Sequence, residues 1–159
     1  MLKDENKNPF DALDSFNVLK ITPSAFTGAA NARGDKDGTQ AAFPLFTVTG
    51  EVLMRIFGVV TTTLVGAGTL EVGVASNTAS LIAQVADATI LAENEIWNDA
   101  TPTETEVGVG LLSNITGPHI VVNGVDIIET CAGTDITAGN IYYICLWRPL
   151  SEDGNVVPA

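Results

Sequence analysis

Short runs rich in Val, Ile, Phe and Thr recur along the chain after residue 42 and predict β-strands. The alternation of apolar and polar positions is clearest in Thr69–Ala75, where every second residue from Leu70 to Val74 is aliphatic. Turn residues separate the runs, and Asn123-Gly124 between two valines is typical of a two-residue hairpin. The predicted strands are 43–49, 52–63, 69–75, 81–85, 107–112, 119–122, 125–130 and 141–148.

The last predicted strand is apolar on both faces. Ile141, Tyr143, Cys145 and Trp147 alternate with Tyr142, Ile144, Leu146 and Arg148. This pattern predicts a central strand that is covered on one side by the second sheet and on the other by a further layer or an adjoining subunit.

Helical periodicity is weak throughout. Ser80–Leu91 is ambiguous between helix and strand, and a short helix is predicted near Pro9–Phe16, where Pro9 and the acids Asp11 and Asp14 suit a helix N-terminus. Many short strands without long helices predict an all-β fold, an antiparallel β-sandwich of jelly-roll-like type.

The first forty residues differ from the rest in composition and charge. They carry five of the seven basic residues and six of the nineteen acidic ones, so their formal charge is −1, while residues 41–159 carry −11. Residues 17–42 are small, polar and weakly patterned. We therefore predict an N-terminal arm over residues 1–41 that is ordered by a partner, followed by a β-sandwich domain over residues 42–159.

The length of 159 residues suits one domain with an appendage. The sequence contains no run of about 18 uncharged apolar residues that would predict a membrane span. Its first residues lack the apolar region of a signal peptide. We therefore expect a protein that is made in the cytoplasm and has no membrane contact. Cys131 and Cys145 are too few for a disulfide framework, and a buried free thiol is expected at Cys145.

Candidate chemistry is sparse. His119 is the single histidine, and no nucleophile signature or paired metal-ligand spacing accompanies it. Asp35-Lys-Asp37-Gly38-Thr39 is similar to the opening of a calcium loop, but Phe46 occupies the position of the required Glu. We therefore predict no enzyme activity, no catalytic, cofactor-binding or metal-binding residues, and no cofactor.

Two further groups of residues have alternative interpretations. Five acids surround Trp97 in the pattern of a glycosidase site, but their Asn, Thr and Pro neighbours favour a solvent-facing loop; they are Glu93, Glu95, Asp99, Glu104 and Glu106. Four aromatic residues would suit a carbohydrate platform, namely Trp97, Tyr142, Tyr143 and Trp147, although core packing is favoured for the strand that carries the last three.

Two short motifs and the overall charge bear on partners. Arg33-Gly34-Asp35 matches an adhesion tripeptide and Asn114-Ile-Thr116 a glycosylation sequon, and both are expected to be incidental. The strongly acidic body disfavours nucleic-acid binding, because it would repel phosphate.

Three blocks carry a resemblance to a known class of protein. They are Leu45–Val60 continuing to Gly73, Glu95–Pro102, and Ile141–Val157. Together they resemble virion proteins of tailed bacteriophages that are encoded near capsid genes. The resemblance implies a non-enzymatic virion component and assigns no catalytic residue.

The charge distribution narrows the expected role. An acidic body suits the outside of a capsid, away from packaged DNA, and an extended arm suits a protein that cements its neighbours. We therefore expect a capsid decoration protein of the virion that forms a homo-oligomer, for example a trimer, and contacts the major capsid protein through its arm. A head–tail connector or tail protein and a carbohydrate-binding module are the alternatives.

Overall fold

The computed structural model describes residues 16–104, 119–121 and 124–159. Within these ranges the chain forms eleven strands in two antiparallel sheets that pack against each other. The predicted all-β sandwich is therefore confirmed.

The strands are short, except for two that run the length of one sheet. In chain order they are β1 (Asn17–Ile21), β2 (Ala42–Thr49), β3 (Val52–Val65), β4 (Thr69–Val74), β5 (Asn77–Val85), β6 (Glu95–Trp97), β7 (Thr103–Glu104), β8 (His119–Val121), β9 (Asp126–Ala132), β10 (Ala138–Pro149) and β11 (Asn155–Pro158). Single 3-10 turns occur at Thr39–Ala41 and Ala88–Ile90.

Sheet A has the order β1-β10-β3-β6-β7, and β8 lies beside β6 on the same edge of β3. Sheet B has the order β11-β2-β9-β4-β5. The two long strands β3 and β10 pair along almost their whole length, from Val52 opposite Pro149 to Val65 opposite Ala138. The prediction that residues 141–148 form a central strand is confirmed, because β10 lies between β1 and β3.

The core fills the space between the sheets and follows the alternation of the strands. In β3 the even-numbered residues from Val52 to Val60 face inward and are buried, while the odd-numbered ones are partly exposed. In β10, Ile141, Tyr143 and Cys145 are fully buried in the same way. The period-2 pattern therefore determines which side of each strand faces the other sheet.

Seven of the eight predicted strands coincide with observed strands, within a few residues at their ends. The eighth, 107–112, lies outside the described residues, as do Val122 and Asn123 of the predicted hairpin and residues 9–15 of the predicted helix. The ambiguous segment Ser80–Leu91 is the end of strand β5 followed by the 88–90 turn. Its β-branched and aliphatic residues pair with β4.

The described part of the predicted arm contacts the sandwich of its own chain. Strand β1 pairs with β10 over five residues, from Asn17 opposite Trp147 to Ile21 opposite Tyr143. Phe26 is 2% exposed and belongs to the core. Residues 17–41 are thus part of the sandwich within one chain, and residues 1–15 lie outside the described ranges.

Candidate functional site

A buried charged network joins the two sheets. The Arg33 guanidinium donates to both carboxylate oxygens of Glu129, from Nε to Oε1 at 2.8 Å and from Nη2 to Oε2 at 2.6 Å. Tyr143 donates its hydroxyl to Glu129 Oε2, and Arg33 Nη1 donates to the Ser24 carbonyl at 2.6 Å. The side chains of Arg33 and Glu129 are 0% and 2% exposed.

Each member of this network comes from a different element. Arg33 lies in the loop after β1, Glu129 on β9 of sheet B and Tyr143 on β10 of sheet A. The guanidinium carbon also lies 3.9 Å from the centroid of the Phe26 ring, so aromatic faces cover the cation. The network therefore fastens the N-terminal loop to both sheets.

Burial and the Glu129 charge shift the pKa of both Arg33 and Tyr143. Burial lowers the pKa of Arg33, but the charge and hydrogen bonds of Glu129 outweigh it and raise the pKa overall. Burial, and then the Glu129 charge, raise the pKa of Tyr143 well above its usual value. Arg33 stays charged and Tyr143 stays protonated, and both side chains are buried.

The Arg33-Gly34-Asp35 tripeptide is part of this packed loop. Gly34 has φ +94°, and a Cβ there would lie 2.1 Å from the Ile136 carbonyl oxygen. The Asp35 carboxylate accepts the N–H groups of Asn31 at 2.7 Å and Asp37 at 3.0 Å, which closes the loop. With Arg33 buried, the tripeptide cannot present itself to a receptor, which agrees with its interpretation as incidental.

The acidic stretch does not form the solvent-facing loop that the sequence predicts. Glu95 and Trp97 lie on β6 and point inward, with 7% and 0% of their surface exposed. Glu95 Oε2 accepts the Ala92 N–H at 2.8 Å, whereas Glu93 is exposed and Asp99 accepts from Thr101. The Glu104 side chain and Glu106 lie outside the described residues. The three described acids therefore have separate surroundings and do not converge on the indole.

The four aromatic residues do not assemble into a platform. Trp97 and Tyr143 are buried together with ring centroids 6.3 Å apart, whereas Tyr142 points to the opposite side of β10. Trp147 is partly buried at the margin of the core. The interpretation as a carbohydrate platform is therefore not supported.

His119 lies on β8 opposite Met54 and is partly exposed. It lines an open cavity of about 410 Å³ together with Ser76 and Ser80. Burial lowers the pKa of His119, so the ring is neutral at pH 7. Among the described residues no hydrogen bond joins it to either serine, and no nucleophile–base pair is formed.

Both cysteines are buried free thiols. Burial raises the pKa of Cys131 to about 11 and that of Cys145 to about 12. The thiolate is the reactive form of cysteine. At pH 8, a thiol whose pKa is 11 or higher has a thiolate fraction of about 10⁻³ or less.

We therefore expect iodoacetamide at pH 8 to leave native Cys131 and Cys145 unmodified, as measured by intact mass. The same treatment in a denaturant should alkylate both thiols, which serves as the control. Rapid alkylation of the folded protein would contradict the burial of the modified cysteine.

The outward side of sheet A is unusual for a protein with a net charge of −12. Strands β1, β3 and β10 contain no Asp or Glu. Their outward positions carry partly exposed apolar side chains, namely Leu53, Phe57 and Val59 on β3 and Tyr142, Ile144 and Leu146 on β10. Val18 on β1 and Ile120 on β8 extend this surface and are 69% and 66% exposed. We call it the acid-free face.

Three cations lie among these apolar residues. Lys20, Arg55 and Arg148 occupy outward positions on β1, β3 and β10. The Lys20 ammonium lies 3.8 Å from the Tyr142 ring centroid. Within the described residues none of the three forms a salt bridge, and the Nε atoms of Arg55 and Arg148 are buried without a hydrogen-bond partner.

The outward side of sheet B is more polar, although Val157 on β11 is 42% exposed there. Its central strands place Glu71 opposite Thr130 and Thr47 opposite Asp126. Ile128 is the single large aliphatic residue at an outward position of β9. The two outer sides of the sandwich thus differ: one suits solvent, and the other is apolar and cationic.

Comparison with known proteins finds no match to a protein-family model, to a curated protein or to a solved structure. In the described ranges no helix is long and apolar enough to cross a membrane. Nor does any group of three or more His, Cys, Asp and Glu side chains there suit a metal ion.

Proposed function

We propose that this chain is a non-enzymatic structural protein of a tailed-phage virion, a decoration protein that binds the outside of the capsid as a homo-oligomer. The acid-free face carries this proposal, because a sheet surface with six partly exposed apolar side chains, three cations and no acid is suited to being covered by protein. The polar side of sheet B is suited to remaining in solvent.

The organisation of the polar residues supports a structural role. The strongest charged network, between Arg33, Glu129 and Tyr143, is closed to solvent and joins the sheets. The acids around Trp97 have separate surroundings, and His119 lacks a paired nucleophile among the described residues. The blocks that resemble phage virion proteins form β2–β4, β6, β10 and β11, so the resemblance concerns the strands of the sandwich.

Cryo-electron microscopy of purified virions of the source phage tests this proposal. We expect copies of the sandwich on the capsid exterior, at symmetry axes or at junctions between capsid subunits, with the outward side of sheet B toward solvent. Density for this chain in the connector or tail would instead support the alternative, a head–tail connector or tail protein. Absence of the chain from purified particles, checked by mass spectrometry, would overturn the proposal.

A further inference from the structure

We propose that residues 8–15 bind the acid-free face of their own chain and cover its cations. These residues lie outside the described ranges and are called the 8–15 segment. The segment would supply the further layer that the sequence predicts over β10. The inference goes beyond the proposed function, because it concerns the free chain and does not depend on a capsid.

The cations of the acid-free face lack acidic partners. Lys20, Arg55 and Arg148 form no salt bridge within the described residues, and the Nε atoms of both arginines are buried without an acceptor. A cation that loses its water is stabilised when a carboxylate accepts its hydrogen bonds. The occupant of the face is therefore expected to bring carboxylates together with apolar side chains.

The three cations lie close together on neighbouring strands. Arg55 on β3 is opposite Leu146, which is two residues from Arg148 on β10. Lys20 on β1 is opposite Ile144, the next outward residue of β10. From the spacing of strands and of residues along them, the Cα atoms of the three cations fall within an area of about 10 by 13 Å. A helix of eight residues is about 12 Å long and would cross this area.

The 8–15 segment has the composition that this area requires. It carries the acids Asp11 and Asp14 and the apolar residues Phe10 and Leu13, and it has no Lys or Arg. A helix over these residues, as the sequence predicts, would place all four side chains within one half of its circumference, since successive residues are about 100° apart. One side of the segment would then present both its acids and its apolar side chains to the face.

The described chain begins beside the cations. The Phe16 ring centroid lies 5.6 Å from the guanidinium carbon of Arg148, so the chain enters β1 on the outward side of sheet A. Asp14 precedes Phe16 by two residues, which span at most about 7 Å. This tether gives the segment a high effective concentration at the face of its own chain, which favours it over a segment of another molecule.

Other parts of the chain outside the described ranges fit the face less well. The two acids in residues 1–7 are offset by Lys3 and Lys7, and residues 105–118 have Glu106 as their single acid. The 8–15 segment also leaves part of the face open. Val65, at the end of β3 far from Arg148, is 52% exposed, so apolar surface remains there for the proposed capsid contact.

Limited proteolysis of the full chain by chymotrypsin tests the contact, because Phe10 and Leu13 are cleavage sites for this protease. Mass spectrometry gives the rate of cleavage after these two residues. The protection ratio is the rate in a synthetic peptide of residues 1–20 divided by the rate in the full chain. We expect a ratio of about ten or more for the native protein, since cleavage follows the fraction of open molecules. The ratio should not change when the protein is diluted.

Charge reversal on either side of the contact should abolish the protection. Asp11→Lys/Asp14→Lys and Arg55→Glu/Arg148→Glu should each lower the ratio by about tenfold, because each places like charges together. The combined variant, with the charges exchanged, should regain much of it. Each full chain is compared with a peptide of its own sequence, and circular dichroism verifies folding. If Arg55→Glu/Arg148→Glu does not fold, Arg55→Gln takes its place.

Two matched controls change the charge elsewhere. Asp4→Lys/Glu5→Lys makes the same charge change as the segment variant but lies before residue 8, and Lys36→Glu lies in the loop beside Asp37. Both should keep the native ratio.

Three results would contradict the inference. A native ratio near one would leave the face to a different protein. A ratio that falls on dilution would assign the segment to a neighbouring copy. A ratio that the face variants leave unchanged would place the segment elsewhere on the chain. Since the assay contains no capsid, none of these results bears on the virion role.

Discussion

Glu129→Gln is expected to lower the free energy of unfolding by about 3–5 kcal/mol, because it leaves the buried Arg33 charge without its counter-charge. The loss is a large share of the 5–15 kcal/mol typical of a domain. Urea unfolding followed by circular dichroism measures it. The expected change is a lower midpoint with the same slope, since the surface exposed on unfolding stays the same.

Glu71→Gln is the matched control. Glu71 is also buried at 8% exposure, but its carboxylate accepts a hydrogen bond from the neutral Gln84 at 2.8 Å. Its loss should cost about 1 kcal/mol, the usual net value of one hydrogen bond. Equal effects of the two substitutions would contradict a special role for the ion pair. In Arg33→Met/Glu129→Met, part of the stability should return, because no unpaired charge remains.

Trp97→Ala is expected to destabilise the fold by about 3–5 kcal/mol, the usual cost of truncating a fully buried tryptophan. The indole fills the space between β3 and Tyr143, so its removal leaves a cavity in the core. Trp147→Ala should cost less, because Trp147 is only partly buried at the margin of the core. Thermal unfolding of both variants measures the difference.

The two alanine variants distinguish the sequence-based prediction from the structure by which of them loses more stability. The sequence places Trp97 in an acidic loop and Trp147 in the buried strand, and so predicts the opposite order. A Trp97→Ala protein with native stability would show that β6 does not pack as described. A greater loss of stability for Trp147→Ala than for Trp97→Ala would support the sequence-based prediction instead.

Period-2 patterns were sufficient to predict the longer strands and the central position of β10. They work there because β3 and β10 are long enough for several alternations. The period-2 pattern does not predict strand β6. Its three residues are too few to show a repeated alternation. A charged residue such as Glu95 is normally expected to be exposed, but its carboxylate is buried and accepts a hydrogen bond from the Ala92 N–H.

The buried network was not predictable from local sequence. Arg33 and Glu129 are 96 positions apart, and a charged residue in a weakly patterned segment is normally exposed. Strand β1 had a signal in Val18, Leu19 and Ile21, but the small and polar residues that follow obscured it. The pairing of β1 with the distant β10 depends on the whole fold, which no short window of sequence contains.

The pairing of β1 with β10 also sets when the protein can fold during its synthesis. Strand β10 supplies the neighbour of both β1 and β3, yet it is made after residue 137 of 159. Until then the ribosome-bound chain has no partner for one edge of β3, and the apolar sides of both strands stay uncovered. Sheet A therefore closes only after β10 has been synthesised, and chains interrupted before β10 carry open strand edges that favour aggregation.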